Sequence, residues 1–129
     1  MAKRTKQARV RVDKYALYEA SVQCVDADLD FCSRVFERSN GRALRILRED
    51  FCATAAIACA FARRDRSHLA IGVDLDAHVL AQAVKRNVRP LDVATRSRVR
   101  LLHANVLEVT EPRVECIAAL NFSYWVFKR

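Results

Sequence analysis

Apolar residues in this chain fall into two kinds of pattern. Recurrence three and four apart predicts helices, and short unbroken runs predict buried strands. Lys14 to Cys24 is a predicted helix, with Tyr15 and Tyr18 three apart. A second helix follows, capped by Asp26 or Asp28, with Leu29, Cys32, Val35 and Phe36 at helical spacing. Asn40-Gly41 supplies the left-handed stop that ends many helices. Ala43 to Leu47 suits a first strand, apolar around Arg45. Thr54 to Arg64 is Ala-rich, with Ile57 and Phe61 four apart, and suits a helix packed closely on a sheet. Arg63 and Arg64 complement its C-terminal dipole. His68 to Val73 is a second strand, Ala77 to Asn87 a helix closed off by Pro90, and Val99 to His103 a third strand. Cys116 to Phe122 is a fourth, reached through a turn at Glu111-Pro112.

Strands that alternate with helices, and that read as apolar runs, predict a parallel α/β sheet. Within it, Leu47-Arg48-Glu49-Asp50-Phe51-Cys52-Ala53-Thr54-Ala55 followed by Ile71-Gly72-Val73-Asp74-Leu75-Asp76 reads as strand, sharp turn, helix, strand and terminal carboxylate. That is the layout of a nucleotide-binding βαβ unit. Ala53 and Asp74 are 21 residues apart, close to the roughly 20 such units show. No glycine lies between Gly41 and Gly72, so every residue of the turn carries a side chain. A dinucleotide is rejected on that ground, because a pyrophosphate needs close backbone approach at a glycine-rich turn.

Composition narrows the class. A chain of 129 residues that is 52% hydrophobic supports one small domain. Its +8 charge is uneven, with residues 1–14 at a net +5 and the remainder at only +3. A basic, solvated tail over 1–13 and one domain over 14–129 are expected. The tail offers a nucleic-acid contact through phosphates, which is not the favoured account. The most apolar stretch, Cys52 to Ala62, has 11 residues, short of the ~20 needed to span a bilayer. No membrane partner is expected. The five cysteines are odd in number and form no C-x-x-C pair, which argues against a disulfide scaffold and a zinc site. Reduced thiols in a cytoplasmic protein are the simplest account.

The ordered set of segments resembles the N-terminal part of class I S-adenosylmethionine-dependent methyltransferases. It looks closest to a subgroup whose first motif reads L-R-E-D-F-C-G-T-A, here Leu47 to Ala55 with Ala53 in the glycine's place. Asp13 to Gln23, Gly72 to Asp76, Asn105-Val106-Leu107 and Asn121-Phe122-Ser123-Tyr124 match later landmarks in order. The resemblance implies a Rossmann-like parallel sheet with flanking helices, incomplete at about four strands. It also implies S-adenosylmethionine as cofactor and methyl transfer to an unknown acceptor. The rival class is a non-catalytic, basic-tailed interaction module on a degenerate Rossmann fold.

Site roles follow from the same resemblance. Asp74 would accept hydrogen bonds from both ribose hydroxyls, a fork of two oxygens facing a cis-diol. Glu49 or Asp50 would orient the methionine portion, and the residues do not decide between them. Cys52, Ala53 and Thr54 would form the turn beneath the methionine tail. A positive φ at Ala53 would cost about 1 kcal/mol relative to glycine. Asn105 would sit near the adenine, sandwiched by Val106 or Leu75, while turn and core roles stay open for all three. Asp76 reads as a helix cap. Asn121 and Tyr124 occupy the fourth motif and are the candidate catalytic positions. Tyr15 and Tyr18 either lid the cofactor or simply pack their helix. His68, His78 and His103 are expected to be structural. A sheet that ended at the fourth strand would leave an apolar edge, which predicts association into a homo-oligomer or low stability.

Overall fold

The computed structural model describes residues 11–22 and 24–120. The elements, in chain order, are α1 (Lys14–Val22), α2 (Val25–Asn40), β1 (Ile46–Asp50), α3 (Ala56–Arg64), β2 (Leu69–Asp74), α4 (Ala77–Ala83), α5 (Val93–Arg96), β3 (Val99–His103) and β4 (Cys116–Ala119). The four strands of the described residues lie in one sheet of order β3-β2-β1-β4. Every neighbouring pair is parallel, with Glu49 level with Gly72 and Ala118. This is a Rossmann-like sheet with flanking helices, and its two earliest strands are central.

The differences from the predicted elements have local causes. β1 lies at Ile46–Asp50 rather than ending at Leu47, because Arg48, Glu49 and Asp50 are buried in it with partners of their own. No side chain caps α2; Asp26 and Asp28 occupy its first turn, where they favour the helix dipole. At its other end Gly41 takes φ +67° and its N–H reaches the Glu37 carbonyl at 2.8 Å. α4 widens into a π-type turn over Val84–Val88 before Pro90. β4 is described only to Ala119, and Phe122 lies outside the described residues. α5 has no counterpart in the predicted set, and Asp92 caps it by accepting from the Thr95 amide at 2.9 Å.

Side chains alternate across the strands. Leu47, Ala70 and Ala118 join Leu29 and Phe36 of α2 and Ile57 and Phe61 of α3 in the main core. On the opposite face, Ile71 and Val73 pack with Val106, Phe51 and Val109 in a smaller cluster. β4 is an outer strand among the described residues, and Ile117 on it is half exposed. His68 stacks on Phe61 with ring centres 4.1 Å apart and hydrogen-bonds the Phe61 carbonyl, while His103 hydrogen-bonds that of Leu75. Both are structural histidines.

Candidate cofactor site

The site begins with the bend between β1 and α3. Phe51, Ala53 and Ala55 all have positive φ, at 55°, 47° and 55°. Three non-glycine residues in the left-handed region cost roughly 1–2 kcal/mol each, so the surroundings must impose the shape. They do so at three points. The Cys52 N–H donates to the Val73 carbonyl at 3.0 Å. The Ala55 N–H donates to the Cys52 carbonyl at 2.7 Å. The Ala53 N–H donates to Asp74 Oδ2 at 2.9 Å. Clearance comes from the facing strand: a Cβ on Gly72 would lie 3.0 Å from Cys52 Sγ and 2.9 Å from Leu101 Cδ2. The glycine missing from the turn is thus matched by one beneath it.

Strand alternation separates the two acids of β1. Glu49 faces the helices, is 2% exposed, and accepts from the Ala58 N–H at 2.9 Å in the first turn of α3. Burial pushes its carboxyl up to about 8, so it carries a proton at neutral pH. Asp50 faces the other way with Arg48. Its two oxygens accept from Arg48 Nε at 2.7 Å and Nη2 at 3.0 Å. The remaining Arg48 donors reach the Val109 and Val106 carbonyls. This buried pair has its hydrogen bonds completed and clamps the segment after β3 onto β1. Burial also pushes the Cys52 thiol well above its ordinary range.

Asp74 ends β2 beside the bend. Its Oδ1 accepts from the Asp76 N–H at 3.0 Å while Oδ2 takes Ala53. Each oxygen keeps a further lone-pair direction. Asp76 caps α4, accepting from the His78 and Val79 amides. A cavity of about 350 Å³ opens next to the bend, lined by Lys14, Tyr15, Tyr18, Ala53 and Val79. Ligand cavities typically span about 300–1,000 Å³ with mostly apolar and aromatic walls.

One wall of that cavity is α1, tied down from the π-type turn. Arg86 pairs with Asp13 at 2.5 Å. Asn87 Nδ2 bridges Glu19 Oε1 at 3.0 Å and the Thr54 carbonyl at 2.8 Å. Burial raises the Glu19 carboxyl, but the polar groups of Thr54, Asn87 and Arg86 outweigh it and hold Glu19 below the usual carboxylate range. Lys14, Val79, Arg86 and Asn87 escaped sequence reasoning, because none of them belongs to a motif.

The other sequence-derived candidates sit as follows. Thr54 is fully buried under α1. Asn105 Oδ1 accepts from the Leu107 N–H at 3.0 Å, an Asx-type turn after β3. Val106 is core, and Leu75 is 69% exposed. Asn121 and Tyr124 lie outside the described residues.

The fold is that of class I S-adenosylmethionine-dependent methyltransferases, as a set of solved structures shows. An amino pentose methyltransferase from Micromonospora echinaspora, solved with S-adenosylmethionine bound and involved in calicheamicin biosynthesis, superposes with a TM-score of 0.63 at 18% identity, over 95% of this chain and 48% of its own. A sugar N-methyltransferase from Streptoalloteichus superposes at 0.61 and 18% identity, over 93% and 45%. An RNA methyltransferase from Salinibacter ruber, solved with S-adenosylhomocysteine, gives 0.51 at 16% identity, over 84% and 58%. The chain spans about half the length of these proteins. No protein-family model and no curated protein matches it by sequence. Among the described residues no helix is long and apolar enough to cross a membrane, and no group of three or more His, Cys, Asp or Glu side chains is placed to hold a metal.

Proposed function

We propose that this chain binds S-adenosylmethionine at the ends of β1 and β2 and serves methyl transfer to an acceptor whose identity its residues do not specify. The observation that carries the reading is the Asp74 carboxylate, held 2.9 Å from the amide of Ala53, a residue that lines the cavity walled by Tyr15 and Tyr18. The residues present fit the cofactor. The cavity is large enough, its walls are mostly apolar and aromatic, and one residue of its lining, Ala53, is hydrogen-bonded to a carboxylate with spare lone pairs, Asp74.

The cofactor supplies an activated methyl group on a positively charged sulfur, so that displacement needs alignment rather than a protein nucleophile. Asp74 grips the ribose diol and keeps the bend closed at the same time. Ala53 and Val79 set the floor. Tyr15 and Tyr18 exclude water and present aromatic faces to the ligand, whose positive charge such faces attract. In this reading Glu49 supports the site from below by fixing the start of α3. Asp50 supports it through Arg48 and makes no direct cofactor contact. Cys52 and Thr54 shape the bend through their backbones. The Asn105 turn and neighbouring Val106 and Leu75 border the adenine end. Asn121 and Tyr124 remain the proposed lining of the donor–acceptor junction.

Isothermal titration with S-adenosylmethionine tests the reading. Micromolar affinity, about 8 kcal/mol of binding free energy, that falls at least a hundredfold in Asp74→Ala is the expected result. Absence of heat at millimolar ligand in a protein with native circular dichroism would overturn it.

A further inference from the structure

Helix α2 turns an uncovered stripe toward solvent. Asp28, Phe31, Val35 and Arg38 follow one another at spacings of three, four and three residues, which sets them along one face of the helix. Leu29 and Phe36 of the same helix fill the core, but Phe31 is 60% exposed and Val35 48%. Beside them, between α2 and β4, runs a groove of about 380 Å³ that half-exposed Ile117 also lines. β4 is an outer strand among the described residues. An exposed apolar patch at a sheet edge marks an interaction surface.

The charges on the stripe say what covers it. Acids occupy the first half of α2 (Asp26, Asp28 and Asp30), and Arg34 and Arg38 stand in the second. Arg64 of α3 binds Asp26 and Asp30. Asp28 and Arg38 make no ion pair with any described residue. The stripe is its own complement: Phe31 and Val35 lie two residues either side of Ser33, and Asp28 and Arg38 lie five. A second α2 laid antiparallel at the same level sets Phe31 against Val35 and Asp28 against Arg38, each twice by two-fold symmetry. A parallel partner would oppose like charges instead.

We propose that this face joins two copies of the chain in an isologous dimer, α2 antiparallel to α2, with Phe31 of each copy seated in the other's groove. A desolvated aromatic near the middle of a patch is the usual energetic anchor of an interface. The ion pairs lie at the two ends, where charge fixes register and orientation more than affinity. No residue lines both this groove and the cavity at the bend, so the two surfaces are tested independently.

Sedimentation velocity of the full chain over a wide concentration range is the test. A monomer–dimer equilibrium is expected. Phe31→Asp should weaken it about a hundredfold, and Asp28→Arg and Arg38→Asp about tenfold each. Mixing the Asp28→Arg chain with the Arg38→Asp chain should restore association, because every arginine of the mixed pair then meets an aspartate. Loss in each variant alone with recovery on mixing specifies antiparallel pairing, and misfolding cannot imitate it. A parent chain monomeric at every concentration would overturn the proposal, whether residues 121–129 or another protein takes the groove. So would a dimer that Phe31→Asp leaves intact, or charge-reversed variants that fail to recover on mixing.

Discussion

Two places among the described residues put the chain in the left-handed region, and they do it by opposite means. At the end of α2 the chain uses Gly41, at φ +67°, with nothing within 4 Å of where a Cβ would stand. There the conformation is chosen by the residue. At the bend after β1 the chain uses Phe51, Ala53 and Ala55, none of which prefers it. There it is imposed by the Asp74 carboxylate, the Val73 carbonyl and the space left by Gly72. The first turn ends a helix and carries no chemistry. The second stores strain at the wall of a cavity, where strain of this kind usually marks function.

The contrast can be broken at several points, the most consequential being the acid below the bend. Burial pushes Glu49 up to about 8 from 4.5. Between those values the folded protein holds a proton that the unfolded chain releases, so this group's contribution to stability falls as pH rises and levels off above about 8. Glu49→Gln keeps an oxygen for the Ala58 amide but loses that dependence. Thermal melts from pH 4 to 9 should show the variant gaining steadily on the parent, by a few kcal/mol at the alkaline end. Equal pH profiles would mean the carboxyl is solvated.

Next in size is Gly72→Ala. The new methyl would press on Cys52 and Leu101, and overpacking of this kind costs about 1–3 kcal/mol. Chemical denaturation should show that loss together with weaker cofactor binding, since the bend must lift. The smallest and sharpest comparison exchanges the residues of the two turns. Gly41→Ala should destabilise by about 1 kcal/mol from φ alone. Ala53→Gly should stabilise by about 0.5 kcal/mol, strain relief partly offset by a freer unfolded chain. Both read out as shifts in the denaturation midpoint, in opposite directions.

The same contrast explains what was legible in the sequence. Hydrophobic runs located all four strands, and the Asn40-Gly41 stop was read correctly because glycine itself carries the signal. β3 was placed to the residue. The far half of β1 was not, because Arg48, Glu49 and Asp50 look like a strand's exit. They are buried only because Asp50 answers Arg48 and α3 answers Glu49. Asp74 stood out at its spacing from the turn, but the glycine that makes room for the turn lies on another strand. The spacing of Tyr15 and Tyr18 was visible, though not where they go. Their destination depends on Arg86 reaching Asp13 and Asn87 reaching Glu19, contacts across 73 and 68 residues that no local pattern encodes.

A nitrogen–proton correlation titration with S-adenosylmethionine probes the central claim at the atoms concerned. The largest amide shifts are expected on Ala53, Asp76, Tyr15, Tyr18 and Val79, saturating together with micromolar affinity. Shifts confined to the groove between α2 and β4, or a spectrum unchanged at saturating ligand, would contradict it.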